Sequence, residues 1–442
     1  MTTDPDARRA LLVTLLRQRR RADPLPLTAT QEGIWLAEQL DPGDSGYHDS
    51  IVLRIDGPLD VDALRAGLRD AQARHEALRA RFATVDGTPV QHFDVDAPAW
   101  AYDELPGYEV DDVRIRRLFA LDAATPFDMA CGPLWRTRLV RTHARVHLLS
   151  IVLHHLITDG ASHSVLLGTL MDAYERRRRG DTMAREEHQG AYGRWLRAKV
   201  AREAELAGGA AADEVVARLT GLPRRWDLPG VRSAAGRLAV SEPVGVDPDT
   251  WRGFLDACRS LGATGFMALG GLLGQLVADE CGARDVVVAA PVANRLDRSD
   301  RDLIGCLIDV VPIRMTIGPG REVREAIRLG RDAVLAALRS AGVPYRHVAR
   351  AVGAPASADD PLTNIGLEEF NVSTSARHAG ELLITPLPRQ GLRLRHDLAL
   401  SVPVTASAMP ELWAPARRWA PGRLAELAGA MAEAVHGVVA RR

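Results

Sequence analysis

Residues 145–160 read RVHLLSIVLHHLITDG, an apolar run that ends in two histidines. The Val, Ile and Leu residues at 145–153 predict a buried strand. A loop is predicted at 156–160, followed by a helix from about Ser162 with its apolar residues at helical spacing. His154 and His155 therefore lie where a buried strand gives way to a loop, a position at which folds present reactive groups to a cleft.

The same alternation of strands and helices continues through both halves of the sequence. Two α/β lobes are the simplest architecture that accounts for it. Strands are predicted at 50–55, 145–153, 285–291, 307–317 and near 396–404. Helices are predicted at 59–82 with Asp60 as the N-cap, from about 162 to 179, and at 249–260, 264–281, 322–341 and 421–440.

The length of 442 residues is too great for one compact core, which also favours two lobes. The polar segment GDTMAREEHQG at 180–190 lacks any apolar period, so we place the boundary there, with an N-terminal lobe at 1–180 and a C-terminal lobe at 181–442. Residues 1–24 are predicted to form a short basic helix, either solvated or docked to an acidic partner.

Composition excludes several classes of partner. Lys and Arg total 56 against 57 for Asp and Glu, so the sequence gives no reason to expect nucleic acid. No apolar run reaches the length of a membrane span, and no signal-peptide pattern is present, so no membrane is expected. The 4 cysteines lie far apart, which fits neither a zinc site nor a disulfide framework and favours a reducing cytoplasm.

The pattern His-His-x-x-x-Asp-Gly suits acyl transfer. A neutral imidazole takes a proton from an attacking amine or hydroxyl, or holds that nucleophile in line. Successive residues of a strand point to opposite sides, so only one of the two histidines easily faces a substrate. Asp159 can hold the loop by pairing with an arginine, and Gly160 lets a bulky chain approach the backbone. No serine or cysteine nucleophile is needed when the donor is already a thioester.

Two other interpretations of the pair exist. The histidines can simply pack and form hydrogen bonds, as an isolated His-His pair usually does. They can also bind a metal, but His154 and Asp159 alone make a poor ligand set and no Cys or His cluster completes it, so no metal is expected.

The chain resembles the condensation domain of nonribosomal peptide synthetases from about Leu27 to its C-terminus. The segment His154–Gly160 is similar to the active-site signature of that family. The other matching segments are LTATQEGIWLAEQL at 27–40, RHEALRARF at 74–82, YGRW at 192–195, APVANR at 290–295 and IGCLIDVVPIR at 304–314.

The resemblance implies an α/β fold in which two chloramphenicol-acetyltransferase-like lobes form a V-shaped pseudo-dimer with a tunnel between them. By position, His155 would be the catalytic histidine and His154 would orient the loop. Asp159 would be structural and pair with Arg295, which ties the loop to the second lobe. Gly160 would border the acceptor side.

For function, the resemblance implies transfer of an acyl or aminoacyl group from a carrier-protein thioester to an amine or hydroxyl acceptor, in nonribosomal peptide or hybrid natural-product biosynthesis. The acceptor is a small molecule or is itself carrier-bound. The sequence shows no adenylation signature and no phosphopantetheine-attachment motif. We therefore expect a free-standing, monomeric enzyme that binds no cofactor of its own. Its donor would be the phosphopantetheine arm of a separate carrier protein.

Asp309 and Val310 depart from the family, which usually has asparagine and then threonine there. Asp309 would place a carboxylate near the tunnel, where it raises the basicity of a nearby imidazole or meets a cationic acceptor. It can equally be a solvated loop residue.

Several related functions compete with this one. An acyl-CoA-dependent O- or N-acyltransferase and a catalytically inactive carrier-protein-binding module both remain open. An epimerase of this fold would be expected to carry Ser-Trp where this chain has Ser162-His163-Ser164, which disfavours that function. A heterocyclising relative would replace the histidines with aspartates, so that function is excluded.

Overall fold

The computed structural model describes residues 24–43, 45–181, 190–232, 237–354, 362–370, 376–387, 393–404 and 408–440. The predicted basic helix at the N-terminus lies outside these residues, except for Pro24, and so does most of the predicted boundary segment.

Strands and helices alternate through the described chain. The strands are β1 (Leu25–Pro26), β2 (His48–Asp56), β3 (Arg81–Val85), β4 (Thr88–His92), β5 (Ala99–Glu104), β6 (Trp135–His143), β7 (Val146–His154), β8 (Ala239–Pro243), β9 (Asp285–Ala293), β10 (Ile308–Thr316), β11 (Ile365–Phe370), β12 (Arg377–Ala379), β13 (Leu382–Pro386), β14 (Leu398–Pro403) and β15 (Glu411–Pro415). The helices are α1 (Ala29–Leu40), α2 (Val61–Arg74), α3 (Val113–Ala124), α4 (Gly160–Arg178), α5 (Ala191–Ala207), α6 (Ala210–Leu219), α7 (Pro248–Ser260), α8 (Gly265–Cys281), α9 (Val323–Arg339), α10 (Tyr345–Ala351) and α11 (Arg423–Ala440). None of these helices is by itself long and apolar enough to cross a membrane.

The first lobe is built on a sheet of six strands in the order β12-β13-β2-β7-β6-β5. Its central strand β7 runs antiparallel to both β2 and β6. One face of β7, which carries Leu149 and Ile151, packs in the same core as residues of α2 and α4. The other face, which carries Leu148, packs with residues of α3. Because both faces are covered, the strand reads as a continuous apolar run.

The second lobe is built on another sheet of six strands, in the order β10-β9-β11-β14-β15-β8. Trp251 and Phe254 of α7 lie in its core together with Leu269 and Leu273 of α8. Two sheets, each with its own core, confirm the two-lobed α/β architecture predicted from the sequence.

The chain returns to the first lobe after the second has begun. The strand β13 pairs antiparallel with β2, so that Leu383 lies opposite Asp56. Residues 303–307 and the start of α5 also pack in the core of the first lobe. The lobe boundary between residues 180 and 181 stays a prediction. The first sheet includes β12 and β13, which follow that boundary in the chain.

One predicted helix has the right start and the wrong end. Helix α2 is capped by Asp60, whose side chain accepts a hydrogen bond from the amide of Ala63, as predicted. It ends at Arg74, however, and does not continue to Phe82, which lies in β3. Contacts from distant parts of the chain explain the difference: His75 binds Thr169 through Nε2 at 3.0 Å, and the carboxylate of Glu76 accepts hydrogen bonds from backbone amides near the start of α5. Long-range contacts here outweigh helical spacing.

Candidate active site

The histidine pair lies at the end of β7. His154 is the last residue of the strand, and His155 begins a short 3-10 turn that ends at Ile157. His154 is 1% exposed, whereas His155 is partly exposed. Nδ1 of His155 is buried and has no hydrogen-bond partner among the described residues. Only one of the two histidines is therefore partly exposed, as expected for successive residues that point to opposite sides.

The buried ring of His154 holds the turn that follows it. Its Nδ1 accepts a hydrogen bond from the amide of Leu156 at 3.1 Å. A neutral imidazole has one donor and one acceptor nitrogen, so the proton of His154 is on Nε2. That nitrogen lies 3.4 Å from Oε1 of Glu38 on α1. The ring also contacts the aromatic rings of Tyr47, His48 and Phe127. This geometry supports an orienting role for His154.

Asp159 ties the loop to the second half of the chain. Its Oδ1 accepts a hydrogen bond from Nη2 of Arg295 at 2.8 Å, so the pairing predicted from the family resemblance is present. Its Oδ2 accepts one from the amide of Leu307 at 3.1 Å. Asp159 is also the N-cap of α4 and accepts from the amide of Ser162. The carboxylate thus fixes the start of α4 and the segment before β10 together.

Ser162 has a supporting role that the sequence did not predict. Its hydroxyl is buried and donates to Oδ1 of Asp159 at 2.7 Å. The same oxygen accepts hydrogen bonds from the amide of Gly305 at 3.1 Å and from Arg295 at 2.9 Å. The one available signal was its place three residues after Asp159, a residue type that often caps helices, and this pattern is too common to point to the network.

Gln31 connects three of the family segments. Its Nε2 donates to the carbonyl of Leu156 at 2.9 Å and to the hydroxyl of Tyr192 at 3.1 Å. Gly305 lies against the same tyrosine, since a Cβ atom at this position would be 2.3 Å from Cε2 of Tyr192. The opening segment, the YGRW segment and the IGCLIDVVPIR segment therefore meet around the active-site loop, which we define as residues 154–162.

Gly160 faces open space. It is the first residue of α4 and is exposed, and a Cβ atom there would meet no atom within 4 Å. This position leaves room for a substrate chain beside the loop.

Asp309 is not a solvated loop residue, so that alternative is wrong. It is 7% exposed and lies near the start of β10, where Nζ of Lys199 and Nδ2 of Asn294 lie 2.7 and 2.8 Å from its carboxylate. The cationic group that contacts Asp309 is the ammonium group of Lys199, in the same chain. A cationic acceptor would have to compete with Lys199.

Cys306 lies near these carboxylates but does not supply a nucleophile. Burial, with the charges of Asp159 and Asp309 as smaller contributions, raises the pKa of its thiol well above the usual value. The thiol therefore stays protonated at neutral pH. Among the described residues no three His, Cys, Asp or Glu side chains are grouped in a way that could hold a metal ion.

Comparison with known proteins gives consistent matches. The family model of the condensation domain matches residues 21–398. Isonitrile lipopeptide synthase of Mycobacterium tuberculosis is 28% identical over 86% of this chain and 16% of its own length. Phosphinothricin tripeptide synthetase PhsC of Streptomyces viridochromogenes is 31% identical over 74% of this chain and 30% of its own length. The chain thus spans less than a third of these two relatives.

The fold also matches solved structures. The X-domain from teicoplanin biosynthesis superposes with a TM-score of 0.81 over 95% of both chains, at 24% sequence identity. The same X-domain has been solved in complex with OxyB.

Proposed function

Because this chain belongs to the condensation-domain family, we propose that it transfers an acyl or aminoacyl group from a carrier-protein thioester to an amine or hydroxyl acceptor at His155. The proposal includes a free-standing mode of action, with the carrier protein supplied as a separate partner. The observation that carries it is the position of His155. This residue is partly exposed at the end of a buried strand, on a loop fixed by His154, Gln31 and Asp159.

The proposed reaction needs no covalent enzyme intermediate. The acceptor nitrogen or oxygen attacks the carbonyl carbon of the thioester, a new amide or ester bond forms, and the carbon–sulfur bond breaks. His155 takes the proton of the acceptor or holds the nucleophile in line, and the pantetheine sulfur leaves as a thiol after it receives a proton. Nδ1 of His155 is buried, so Nε2 is the nitrogen assigned to this role. General-base action contributes about 10²–10⁴ in rate.

The surroundings of His155 support positioning as a large part of the effect. The carbonyl of Leu156 is bonded by Gln31 and the amide of Leu156 by His154, so the residue after the catalytic candidate is held on both sides. Asp159 and its partners hold the other end of the turn. A reactive group whose backbone is fixed in this way loses little freedom when substrate binds.

A second candidate function is recruitment of a partner without catalysis. The likeness to the X-domain from teicoplanin biosynthesis, which has been solved with OxyB, favours it. A recruiting module would bind a carrier protein with measurable affinity yet form no product from any donor and acceptor.

The test compares donors with the purified protein. An acyl group is offered on a carrier protein, on coenzyme A, and as a free acid with ATP, each with a panel of amines and alcohols, and products are detected by mass spectrometry. The proposal predicts an amide or ester with the carrier-bound donor. Faster product formation from acyl-CoA would favour the acyl-CoA-dependent acyltransferase. Product from the free acid and ATP alone would contradict the proposal.

A further inference from the structure

Three charged side chains from α5 and β10 meet in the interior. Nζ of Lys199 on α5 lies 2.7 Å from the carboxylate of Asp309 on β10 and 3.1 Å from Oε1 of Glu203, one helical turn further along α5. Asn294 donates a further hydrogen bond to Asp309. We call Lys199, Glu203 and Asp309 the Lys199 cluster.

The Lys199 cluster is buried and carries one more negative than positive side chain. Lys199 and Glu203 are each 6% exposed and Asp309 is 7% exposed. Oε2 of Glu203 accepts a hydrogen bond at 2.9 Å from the amide of Ala29, the first residue of α1. Because the amino end of a helix carries a partial positive charge, α1 offsets part of the excess negative charge. Burial removes a charged group from water, and an ion-pair or hydrogen-bond partner is needed to offset that desolvation cost.

The three elements that the cluster joins are those that hold the active-site loop. Helix α1 carries Gln31, which binds the carbonyl of Leu156. Helix α5 carries Tyr192, whose hydroxyl accepts from the same Gln31. The residue before β10, Leu307, donates its amide to Asp159. A shift of α1 or of the segment before β10 moves a direct contact of the loop, and a shift of α5 acts on the loop through Gln31.

We propose that the Lys199 cluster positions the active-site loop, with Lys199 and Asp309 acting as positioning residues for the transfer reaction across the two lobes. As a statement about catalysis, this inference rests on the proposed function. The cluster also accounts for the aspartate at 309. The carboxylate is required as the partner of Lys199, and a neutral side chain there would leave the lysine with Glu203 alone.

Two measurements test the proposal, and the first needs no substrate. Hydrogen exchange followed by mass spectrometry reports the protection of the amides of Leu156, Ser162 and Leu307. The variants are Lys199→Met, Asp309→Leu and the double variant with both changes. Apolar residues of similar volume often replace a buried ion pair without loss of stability. In the double variant Glu203 loses Lys199 but keeps the hydrogen bond from Ala29, and burial favours its protonated form, so this variant is expected to fold even if a single variant does not.

The expected result is a loss of protection at 154–162 and 305–309 in each single variant, and recovery of protection in the double variant. The matched control is Arg177→Met, which breaks the ion pair with Asp70 at the far end of α4. Arg177 is 17 residues beyond Gly160, or about 25 Å along the helix. The control is expected to leave exchange at both segments unchanged.

The second measurement is the rate of transfer by the folded variants. Each single variant is expected to lower kcat about ten- to a hundredfold with KM nearly unchanged, and the double variant to regain part of the loss. The proposal would be overturned if the single variants showed the same hydrogen-exchange protection at 154–162 and 305–309 as Arg177→Met. It would also be overturned if the losses of kcat in the two single variants simply added in the double variant. If the parent protein forms no product at all, the proposed function fails, while the exchange data still decide whether the cluster positions the loop.

Discussion

Nη2 of Arg295 lies 2.8 Å from Oδ1 of Asp159, although the two residues are 136 positions apart in the chain. Asp159 is 1% exposed as a side chain and Arg295 is 8% exposed. The other donors to this carboxylate are the amide and hydroxyl of Ser162 and the amide of Leu307. One carboxylate therefore joins the β7–α4 loop, the start of α4 and the segment before β10.

Replacing Asp159 by alanine should destabilise the protein strongly. Arg295 would remain buried without its ion-pair partner, and removal of one partner of a buried pair costs about 3–5 kcal/mol. Chemical unfolding measures the change in the free energy of unfolding. The control is Asp70→Ala, which removes a more exposed ion pair with Arg177 and should cost about 1 kcal/mol or less. Equal stability of the two variants would contradict the role assigned to Asp159.

Replacing Gly305 by alanine should displace Tyr192. The added Cβ atom would lie 2.3 Å from the ring of Tyr192, a residue that is 2% exposed. Overpacking of this kind costs about 1–3 kcal/mol, and it should also lower transfer because Tyr192 bonds to Gln31. Thermal unfolding and a transfer assay measure the two effects.

The control for this change is Gly160→Ala, where the added Cβ atom meets nothing within 4 Å. Its melting temperature should match that of the parent. A rise in KM for the acceptor in this variant would place Gly160 beside the acceptor's path, and an unchanged KM would remove it from that path.

The cysteines should differ in their reaction with iodoacetamide at mild alkaline pH. Burial raises the pKa of Cys306 well above its usual value and that of Cys258 to about 12, so neither forms thiolate in the native protein. Cys131 is exposed and should be alkylated in the native state. Peptide mass spectrometry before and after unfolding measures the modification. Rapid native alkylation of Cys306 would show that its surroundings are open to solvent.

Stability should depend on pH through Glu203. Burial raises the pKa of its carboxyl above 4.5, and the ammonium group of Lys199 opposes that rise only in part. A carboxyl whose pKa is higher in the folded state binds its proton more tightly there. Its contribution to stability is complete below pH 4.5 and is lost as pH rises through the folded-state pKa.

Glu203→Gln removes this titration. The difference in melting temperature between the variant and the parent should therefore grow in favour of the variant as pH rises above 4.5. A difference that is constant across the pH range would show that Glu203 does not titrate in this way. The other charged groups that face Glu203, Lys199 and Asp309, are the same in both proteins.

The local chemistry of the site was predictable from the sequence because it is contiguous. The buried strand, the two histidines, Asp159 and Gly160 lie within sixteen residues, and side-chain alternation at a strand end predicts that only one of the two histidines easily faces a substrate. The pairing of Asp159 with Arg295 came only from the family resemblance, since no spacing in the sequence indicates a contact across 136 positions.

The supporting contacts were not predictable for the same reason. Lys199 follows a helical pattern in which a lysine normally faces solvent, and only the fold brings it to Asp309 and Glu203. Glu38 likewise reads as a surface residue of α1, yet its carboxylate lies 3.4 Å from His154. The end of α2 at Arg74 depends on contacts of His75 and Glu76 with distant residues. The spacing of apolar residues along the sequence does not indicate such contacts.

Single-turnover transfer by His155→Ala tests whether the imidazole of His155 acts on the acceptor. The parent and the variant are mixed with acyl-carrier protein and acceptor, and product is quantified in the first turnover. The rate of His155→Ala is expected to be at least about a hundredfold lower than that of the parent. The control is His143→Ala, a change at an exposed histidine on the same sheet, which is expected to keep the parent rate. A folded His155→Ala protein that transfers at nearly the parent rate would contradict the assignment.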